Sequence, residues 1–189
     1  MMEKQLRDHL LEDEQLLWSG CPEPFDTFDK TNKTSIITGI VIKALVLLGI
    51  LFLLFNGVRD NGSINPGIII VILAFGAFAV MNPFLVARRL RKKTVYGLTN
   101  KRILRSGAID NAVPYERIKT ALLRVDEDGH TSLLCGPMAH KLKPRKWRSE
   151  AAAAFIDSSD DQEASRVILY ALPMDRKLRD LLNEYLPLG

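Results

Sequence analysis

Residues 36–55 read IITGIVIKALVLLGILFLLF, and residues 67–86 read GIIIVILAFGAFAVMNPFLV. Each segment is twenty residues long, about the length that a helix needs to cross a hydrocarbon layer ~30 Å thick. The first contains fifteen Leu, Ile, Val or Phe residues and one charge, Lys43, and the second contains twelve and no charge. Since each apolar residue contributes roughly −0.3 to −0.6 kcal/mol against about +3 kcal/mol for a central lysine, insertion is favoured. The sequence therefore predicts two transmembrane helices joined by a short external loop, residues 56–66.

Two other interpretations, a helical hairpin buried in a soluble core and a secretory signal peptide, fit these apolar segments less well than two transmembrane helices do. Helices in the core of a soluble domain are rarely apolar on every face over such a length. A secretory signal peptide places a short apolar stretch close behind a basic N-terminal region, whereas residues 1–35 are charged and polar. We therefore expect both segments to span a membrane.

The charges next to the apolar segments predict the orientation of the hairpin. Lys30 and Lys33 precede the first segment, and the loop contains Arg59 and Asp60 as its charges. Five basic residues follow the second segment: Arg88, Arg89, Arg91, Lys92 and Lys93. Because Lys and Arg near span ends mark the cytoplasmic face, both termini are predicted to be cytoplasmic and the five basic residues to lie at the anionic membrane surface.

Two polar residues inside the spans, Lys43 and Asn82, are predicted to lie at similar depth in an antiparallel hairpin. Pro83 has no N–H, so the carbonyl of Ala79 loses its helical partner. We predict that Lys43 faces the hairpin and donates to the Ala79 carbonyl or to Asn82, which pins the two helices in register. The simpler alternative is a lysine that snorkels toward the cytoplasmic headgroups.

Short β-rich stretches recur outside the hairpin at intervals of roughly ten residues, which is typical of a small antiparallel sheet or barrel. They cover residues 16–20, 94–98, 101–105, 118–125 and 131–135. Thr99 and Asn100 form the turn of a predicted β-hairpin, and Lys101 and Arg102 are expected to be charges at a sheet edge. The acidic residues 12–14 are expected to form a solvated surface turn.

The end of the chain is predicted to be helical. Residues 159–162 (SDDQ) fit a capping box, and apolar residues from 164 to 172 then recur on one helix face. Pro173 ends this helix, and the same spacing in residues 178–186 predicts a second short helix within the C-terminal segment 173–189. Both helices are expected to pack on the sheet.

A second basic cluster lies between residues 141 and 148. It consists of Lys141, Lys143, Arg145, Lys146, Trp147 and Arg148. Tryptophan favours the membrane interface, and each Lys or Arg there adds about 1 kcal/mol of attraction to anionic headgroups. A solvated basic loop whose tryptophan packs on the domain fits the same pattern equally well.

Four stretches, together with the hairpin, carry a family resemblance: residues 16–20 (LLWSG), 96–104 (YGLTNKRIL), 113–118 (VPYERI) and the predicted closing strand and helix up to 172. They are similar to motifs of the bacterial pleckstrin-homology-like membrane proteins. The resemblance implies a small β-barrel or bent sheet over residues 94–172, closed by a C-terminal helix, on the cytoplasmic side of a bacterial inner membrane. It implies binding of proteins, peptides or lipids and no catalysis. Domains that read phosphoinositides have a long basic loop where this chain has Thr99 and Asn100, so specific phosphoinositide recognition is disfavoured.

The sequence offers no pattern typical of catalysis. His9, His130 and His140 are not at ligand spacing, and HExxH, CxxC, glycine-rich phosphate loops and nucleophile elbows are absent. We therefore predict no catalytic residue, metal site or cofactor. Cys21 and Cys135 lie on the predicted cytoplasmic side, where the solvent is reducing, and both are expected to be unpaired, buried apolar side chains. The pI of about 9.1 comes from basic residues beside the predicted membrane, so no nucleic-acid partner is expected.

These observations predict an α+β membrane protein: a transmembrane hairpin followed by a pleckstrin-homology-like domain. The predicted function is that of a non-enzymatic anchor whose cytoplasmic domain binds a protein or anionic lipid. Its expected partners are the bilayer, a membrane or cytoplasmic protein, or a second copy of the chain. One alternative is a subunit or assembly factor of a membrane complex in which the spans are the binding surface; a more distant one is a membrane-bound enzyme.

Overall fold

The computed structural model describes residues 6–61, 66–107, 111–153, 156–157 and 164–189. In these ranges the helices are α1 (Lys30–Asn61), α2 (Pro66–Lys93), α3 (Pro137–His140), α4 (Pro144–Ala151) and α5 (Arg176–Tyr185). The strands are β1 (Leu16–Gly20), β2 (Val95–Thr99), β3 (Arg102–Ser106), β4 (Asn111–Pro114), β5 (Ala121–Val125), β6 (Thr131–Cys135), β7 (Ile156–Asp157) and β8 (Ala164–Leu169). A short 3-10 turn, Tyr115–Arg117, follows β4. The fold is therefore α+β, as predicted.

Helices α1 and α2 lie side by side as a hairpin with an apolar outer surface. They contain 32 and 28 residues, and the predicted segments 36–55 and 67–86 lie inside them. Their most apolar windows have mean hydropathies of 2.7 and 2.5, and none of the residues in these windows is buried within the protein. By length and composition, both helices can cross a membrane.

The helices extend beyond the predicted spans. Residues 56–61, predicted as part of the external loop 56–66, continue α1, whereas residues 62–65 lie outside the described residues. Hydropathy marks only the apolar part of a helix, and polar residues prolong it where no proline interrupts the backbone hydrogen bonds. The prediction of a loop over residues 56–61 is therefore wrong.

The β domain consists of two four-stranded antiparallel sheets, in the orders β1-β2-β3-β4 and β5-β6-β8-β7. The predicted β-hairpin around residues 99 and 100 is present as β2 and β3. Strand β1 precedes the helical hairpin and pairs with β2, which follows it, so that Trp18 lies opposite Leu98. The N-terminal segment is therefore part of the domain. The antiparallel pairing agrees with the prediction, but in the part of the chain that the structure describes the two sheets do not close into one barrel.

Strand β8 replaces the first predicted C-terminal helix. Residues 164–169 pair with β6 through Leu169 opposite Leu133 and Val167 opposite Cys135. Val167, Ile168, Leu169 and the following Tyr170 are all buried, as expected for a strand covered on both faces. Such a strand reads as a continuous apolar run, which also fits a helical spacing over a few residues. The predicted capping residues 159–162 lie outside the described residues.

Helix α5 confirms the second predicted C-terminal helix. Asp175 caps it by accepting a hydrogen bond from the Leu178 backbone N–H at 2.6 Å, as N-cap residues do. Leu178 and Leu182 are buried in one apolar core with residues of both sheets. This helix therefore packs on the β domain, as predicted.

Glu14 of the acidic turn 12–14 and Arg102 of the basic pair 101–102 differ from the predictions, whereas Glu12, Asp13 and Lys101 are exposed as expected. Glu14 is buried and binds Arg102 through two contacts of 2.8 Å, while the Thr99 hydroxyl donates to it at 2.7 Å. Burial alone raises the pKa of Glu14, but the hydrogen bonds from Arg102, from the Leu11 backbone and from Thr99 outweigh it and hold the pKa below its usual value. Since β3 lies between β2 and β4, Arg102 is a partner of Glu14 and not an edge charge.

Candidate functional site

The N-terminus of α1 is bound by two carboxylates: that of Asp29, which directly precedes the helix, and that of Asp128 in the β domain. Asp29 Oδ1 accepts from the Asn32 backbone N–H and side-chain amide, both at 2.9 Å. Asp128, in the turn between β5 and β6, accepts from the Lys30 N–H at 3.0 Å and the Thr31 N–H at 2.9 Å. The first amides of a helix have no intrahelical partner and carry partial positive charge. Asp29 therefore caps the start of the apolar helix, and Asp128 fixes that start to the domain.

The pKa of Asp128 reflects this contact. Burial by itself raises the pKa of the carboxyl group, but hydrogen bonds from Thr31 and Lys30 outweigh it and lower the pKa below its usual value. The carboxylate form is therefore the one that holds the helix end.

A buried arginine connects the same helix end to α4. Arg148 is 4% exposed, and its Nη2 forms an ion pair with Asp29 Oδ2. Its Nη1 donates to the Thr27 carbonyl at 3.1 Å, and the guanidinium lies 4.3 Å from the centre of the Phe25 ring. The stacked guanidinium is held by an aromatic face as well as by charge.

Tyr170 extends the network into the second sheet. Its hydroxyl donates to Asp126 Oδ2 at 3.0 Å and lies 3.3 Å from Arg148 Nη2. Burial raises the pKa of Tyr170, so the hydroxyl keeps its proton and remains a donor. Asp126 also accepts from the backbone N–H groups of Asp128 and His130 at 3.0 and 2.9 Å. The network thus links α1, α4, β8 and the β5–β6 turn.

Asp29, Asp126 and His130 are close enough to suggest a metal centre, with ligand atoms within 4.8 Å of one another. However, the Asp29 oxygen on this side pairs with Arg148, and the Asp126 oxygen accepts from Tyr170. The guanidinium supplies the positive charge that a cation would otherwise bring. The arrangement is therefore an ion-pair network, and no metal is assigned to it.

An apolar cluster lies beside this network and joins the hairpin to the domain. Trp147 of α4 is 1% exposed and packs with Phe25, with Ala87 and Leu90 of α2, and with Tyr170. The indole Nε1 donates to the Leu142 carbonyl at 3.1 Å, so its polar group is satisfied. The end of α2 and the segment that precedes α1 are therefore packed into the domain.

The predicted membrane-surface residues fall into two groups. Trp147 and Arg148 are buried, so the prediction that they contact headgroups is wrong for these two. They share one face of α4 with buried Ala151, because residues three and four apart lie on the same side of a helix. The remaining basic residues of both clusters have exposed side chains: Arg88, Arg89, Arg91, Lys92, Lys93, Lys141, Lys143, Arg145 and Lys146.

The contact predicted for Lys43 is present. Its Nζ donates to the Ala79 carbonyl at 2.7 Å, the carbonyl that Pro83 leaves without a helical partner. Asn82, the alternative acceptor, is exposed one turn further along α2. Leu47 faces Gly76 in the next turn, where a Cβ on the glycine would lie 2.9 Å from a Leu47 methyl group. The two helices therefore run antiparallel with Lys43 between them.

The two cysteines of the chain lie apart from the junction network. Burial raises the pKa of the Cys135 thiol, which makes it inert, and Cys21 and Cys135 are both free. No protein-family model, curated protein or solved structure matches this chain. The class that fold and site define is therefore a two-sheet domain bound to an exposed apolar helical hairpin.

Proposed function

We propose that this protein is a non-enzymatic, two-pass protein of a bacterial inner membrane whose pleckstrin-homology-like domain lies on the cytoplasmic side. The observation that carries the proposal is the junction. The apolar surface of α1 and α2 is exposed; the end of α2 packs in the buried cluster around Trp147, and the start of α1 is held by Asp128 of the β domain. A domain joined in this way lies directly at the membrane surface.

The proposed role is binding at that surface. Exposed basic residues at the end of α2 and around α4 supply attraction to anionic headgroups, and the two antiparallel sheets with α5 support the resemblance to pleckstrin-homology-like domains. A fixed attachment holds a binding surface at constant distance from the bilayer. We propose that this surface recruits a membrane or cytoplasmic protein, or a second copy of the chain.

The orientation is tested by two reporters in the full chain. We expect a reporter fused after Gly189 to be active in the cytoplasm, since basic residues flank the spans on that side. A Ser63→Cys variant, at a position outside the described residues, is expected to react with an impermeant thiol reagent added to intact cells. The chain should also resist alkaline extraction from membranes. Labelling of residue 63 only after permeabilisation would reverse the orientation, and extraction into the soluble fraction would remove the membrane assignment.

A subunit or assembly factor that binds through its spans is the second candidate. Large apolar side chains on the hairpin surface favour it: Phe52 is 64%, Phe55 71% and Phe75 75% exposed. Such side chains contact lipid or the spans of another protein.

Crosslinking in native membranes separates the two candidates. Val125 is an exposed apolar side chain on β5, an outer strand of its sheet, and Phe75 is the matched position on the hairpin. We expect Val125→Asp to reduce recovery of a crosslinked partner by about tenfold, since an unpaired charge in an interface costs more than about 1.4 kcal/mol. Phe75→Leu, which stays apolar, should leave it unchanged. If Phe75→Leu abolished recovery of the crosslinked partner and Val125→Asp did not, the result would favour the candidate that binds through its spans.

A further inference from the structure

A cavity of about 190 Å³ lies where α1, α2 and α4 meet. Asn32, Gly39 and Lys43 line it from α1, because positions seven and eleven residues apart recur on one helix face. Asn82 contributes from α2 and Arg145 from α4. The cavity thus extends from the basic end of the hairpin into its apolar part.

The charges that line this cavity are positive. Arg148 also borders it but is paired with Asp29, which leaves Lys43 and Arg145 as the cations available to a ligand. No acidic side chain is among the described residues that line the cavity. An ammonium group has three donors, and the Lys43 ammonium uses one of them on the Ala79 carbonyl. In the described part of the chain, no hydrogen bond or ion pair engages the Arg145 guanidinium.

An apolar groove continues from the same lysine along the hairpin. It has a volume of about 400 Å³ and is lined by aliphatic and aromatic side chains that include Val46, Ile50, Val71 and Phe75. Lys43 borders both cavities. A cationic pocket that opens into an apolar groove is complementary to a ligand with an anionic head and a hydrocarbon chain.

We propose that these two cavities bind one anionic phospholipid, with its phosphate between Lys43 and Arg145 and one acyl chain along the groove. The inference rests on the proposed insertion of the hairpin, which puts Lys43 about 10 Å inside the hydrocarbon at ~1.5 Å per residue from position 36. A charge at that depth pairs with an opposite charge or with backbone carbonyls, and Lys43 already has the Ala79 carbonyl as one partner. A phosphate between two cations forms charge-assisted hydrogen bonds with both.

Three variants test the site in the full chain. Lys43→Gln removes the charge and keeps an amide donor for Ala79. Gly39→Leu adds an apolar side chain to the lining of the cavity, at a position where a Cβ meets no heavy atom within 4 Å. Gly49→Leu is the matched control, since a Cβ there also meets open space and Gly49 lines neither cavity.

The measurement is native mass spectrometry of the detergent-purified chain with dioleoylphosphatidylglycerol. Dioleoylphosphatidylcholine and inorganic phosphate are the comparison probes. We expect one retained phosphatidylglycerol per chain, with affinity about tenfold lower in Lys43→Gln and Gly39→Leu because a charged hydrogen bond or the space for the phosphate is lost. Affinity in Gly49→Leu should stay within about twofold of wild type.

Equal phosphatidylglycerol affinity in all four proteins overturns the inference, and so does equal affinity for phosphatidylcholine in wild type. An inorganic phosphate affinity equal to that of phosphatidylglycerol overturns the lipid assignment and leaves a simple anion site. Alkaline extraction of the same strains separates this result from the proposed function. A membrane-resistant chain without selective lipid retention contradicts the lipid site alone, whereas a soluble wild-type chain contradicts the proposed function.

Discussion

Replacement of Arg148 by methionine is expected to lower the free energy of unfolding by about 3–5 kcal/mol. The substitution keeps an unbranched side chain but leaves Asp29, which is 8% exposed, without its ion-pair partner, and an unpaired buried charge is strongly destabilising. It also removes the donor to the Thr27 carbonyl. Urea unfolding of the full chain in detergent micelles, followed by tryptophan fluorescence, measures the loss.

Two companion variants make this test specific to the ion pair. Lys146→Met changes an exposed residue of the same helix and should alter the free energy of unfolding by no more than about 0.5 kcal/mol. Asp29→Ser combined with Arg148→Met removes both charges, and serine still caps α1. We expect this double variant to be more stable than Arg148→Met alone. If the double variant were less stable than the single one, groups other than Arg148 would be compensating the buried negative charge of Asp29.

The features that could be predicted from the sequence are those set by local patterns. Two long apolar segments predict the helices because few structures besides a membrane-spanning helix tolerate them. The contact between Lys43 and the Ala79 carbonyl could also be predicted, since Pro83 identifies the free carbonyl and antiparallel packing sets the relative depth. The turn between β2 and β3 could be predicted as well, because the turn residues Thr99 and Asn100 and the β-rich stretches on either side of them are adjacent in the sequence.

The junction network depends on residues that are distant in the sequence. Asp29 and Arg148 are separated by 119 positions, and Asp126 and Tyr170 by 44. Asp29 has a local signal, because an Asp directly before a helix is a favoured N-cap residue. That signal identifies the helix start but not the arginine that pairs with it.

Composition and helical spacing indicate different structures in two segments of the chain. The basic character of residues 141–148 favours a surface, yet Trp147, Arg148 and Ala151 recur at helical spacing behind Pro144, a favoured first residue of a helix, and point inward. In residues 164–172 the opposite occurred. The apolar residues there fit a helical spacing, but Val167, Ile168 and Leu169 form a continuous apolar run, which is typical of a strand buried on both faces.

Replacement of Trp147 by alanine is expected to lower the free energy of unfolding by about 3–5 kcal/mol, the usual loss when a large buried aromatic side chain is removed. The indole contacts residues of α2 and of the second sheet, so the cavity left behind loosens the attachment of the hairpin as well as the domain. Trp147→Phe should lose less, since the ring remains and only the hydrogen bond to the Leu142 carbonyl and part of the volume are removed. Urea unfolding in micelles is again the measurement.

Quenching by brominated lipids distinguishes burial of this side chain from contact with headgroups. In a Trp18→Phe background, Trp147 is the remaining tryptophan of the two in the chain, and its 1% exposure predicts little quenching when the full chain is placed in bilayers of lipid brominated near the headgroup. A tryptophan at the membrane interface would be quenched strongly, and its replacement by alanine would change the free energy of unfolding by less than about 1 kcal/mol because it would fill no cavity. Strong quenching together with a small loss of stability would therefore show that Trp147 contacts the headgroups. Weak quenching together with a large loss of stability would show that the indole stabilises the junction between hairpin and domain.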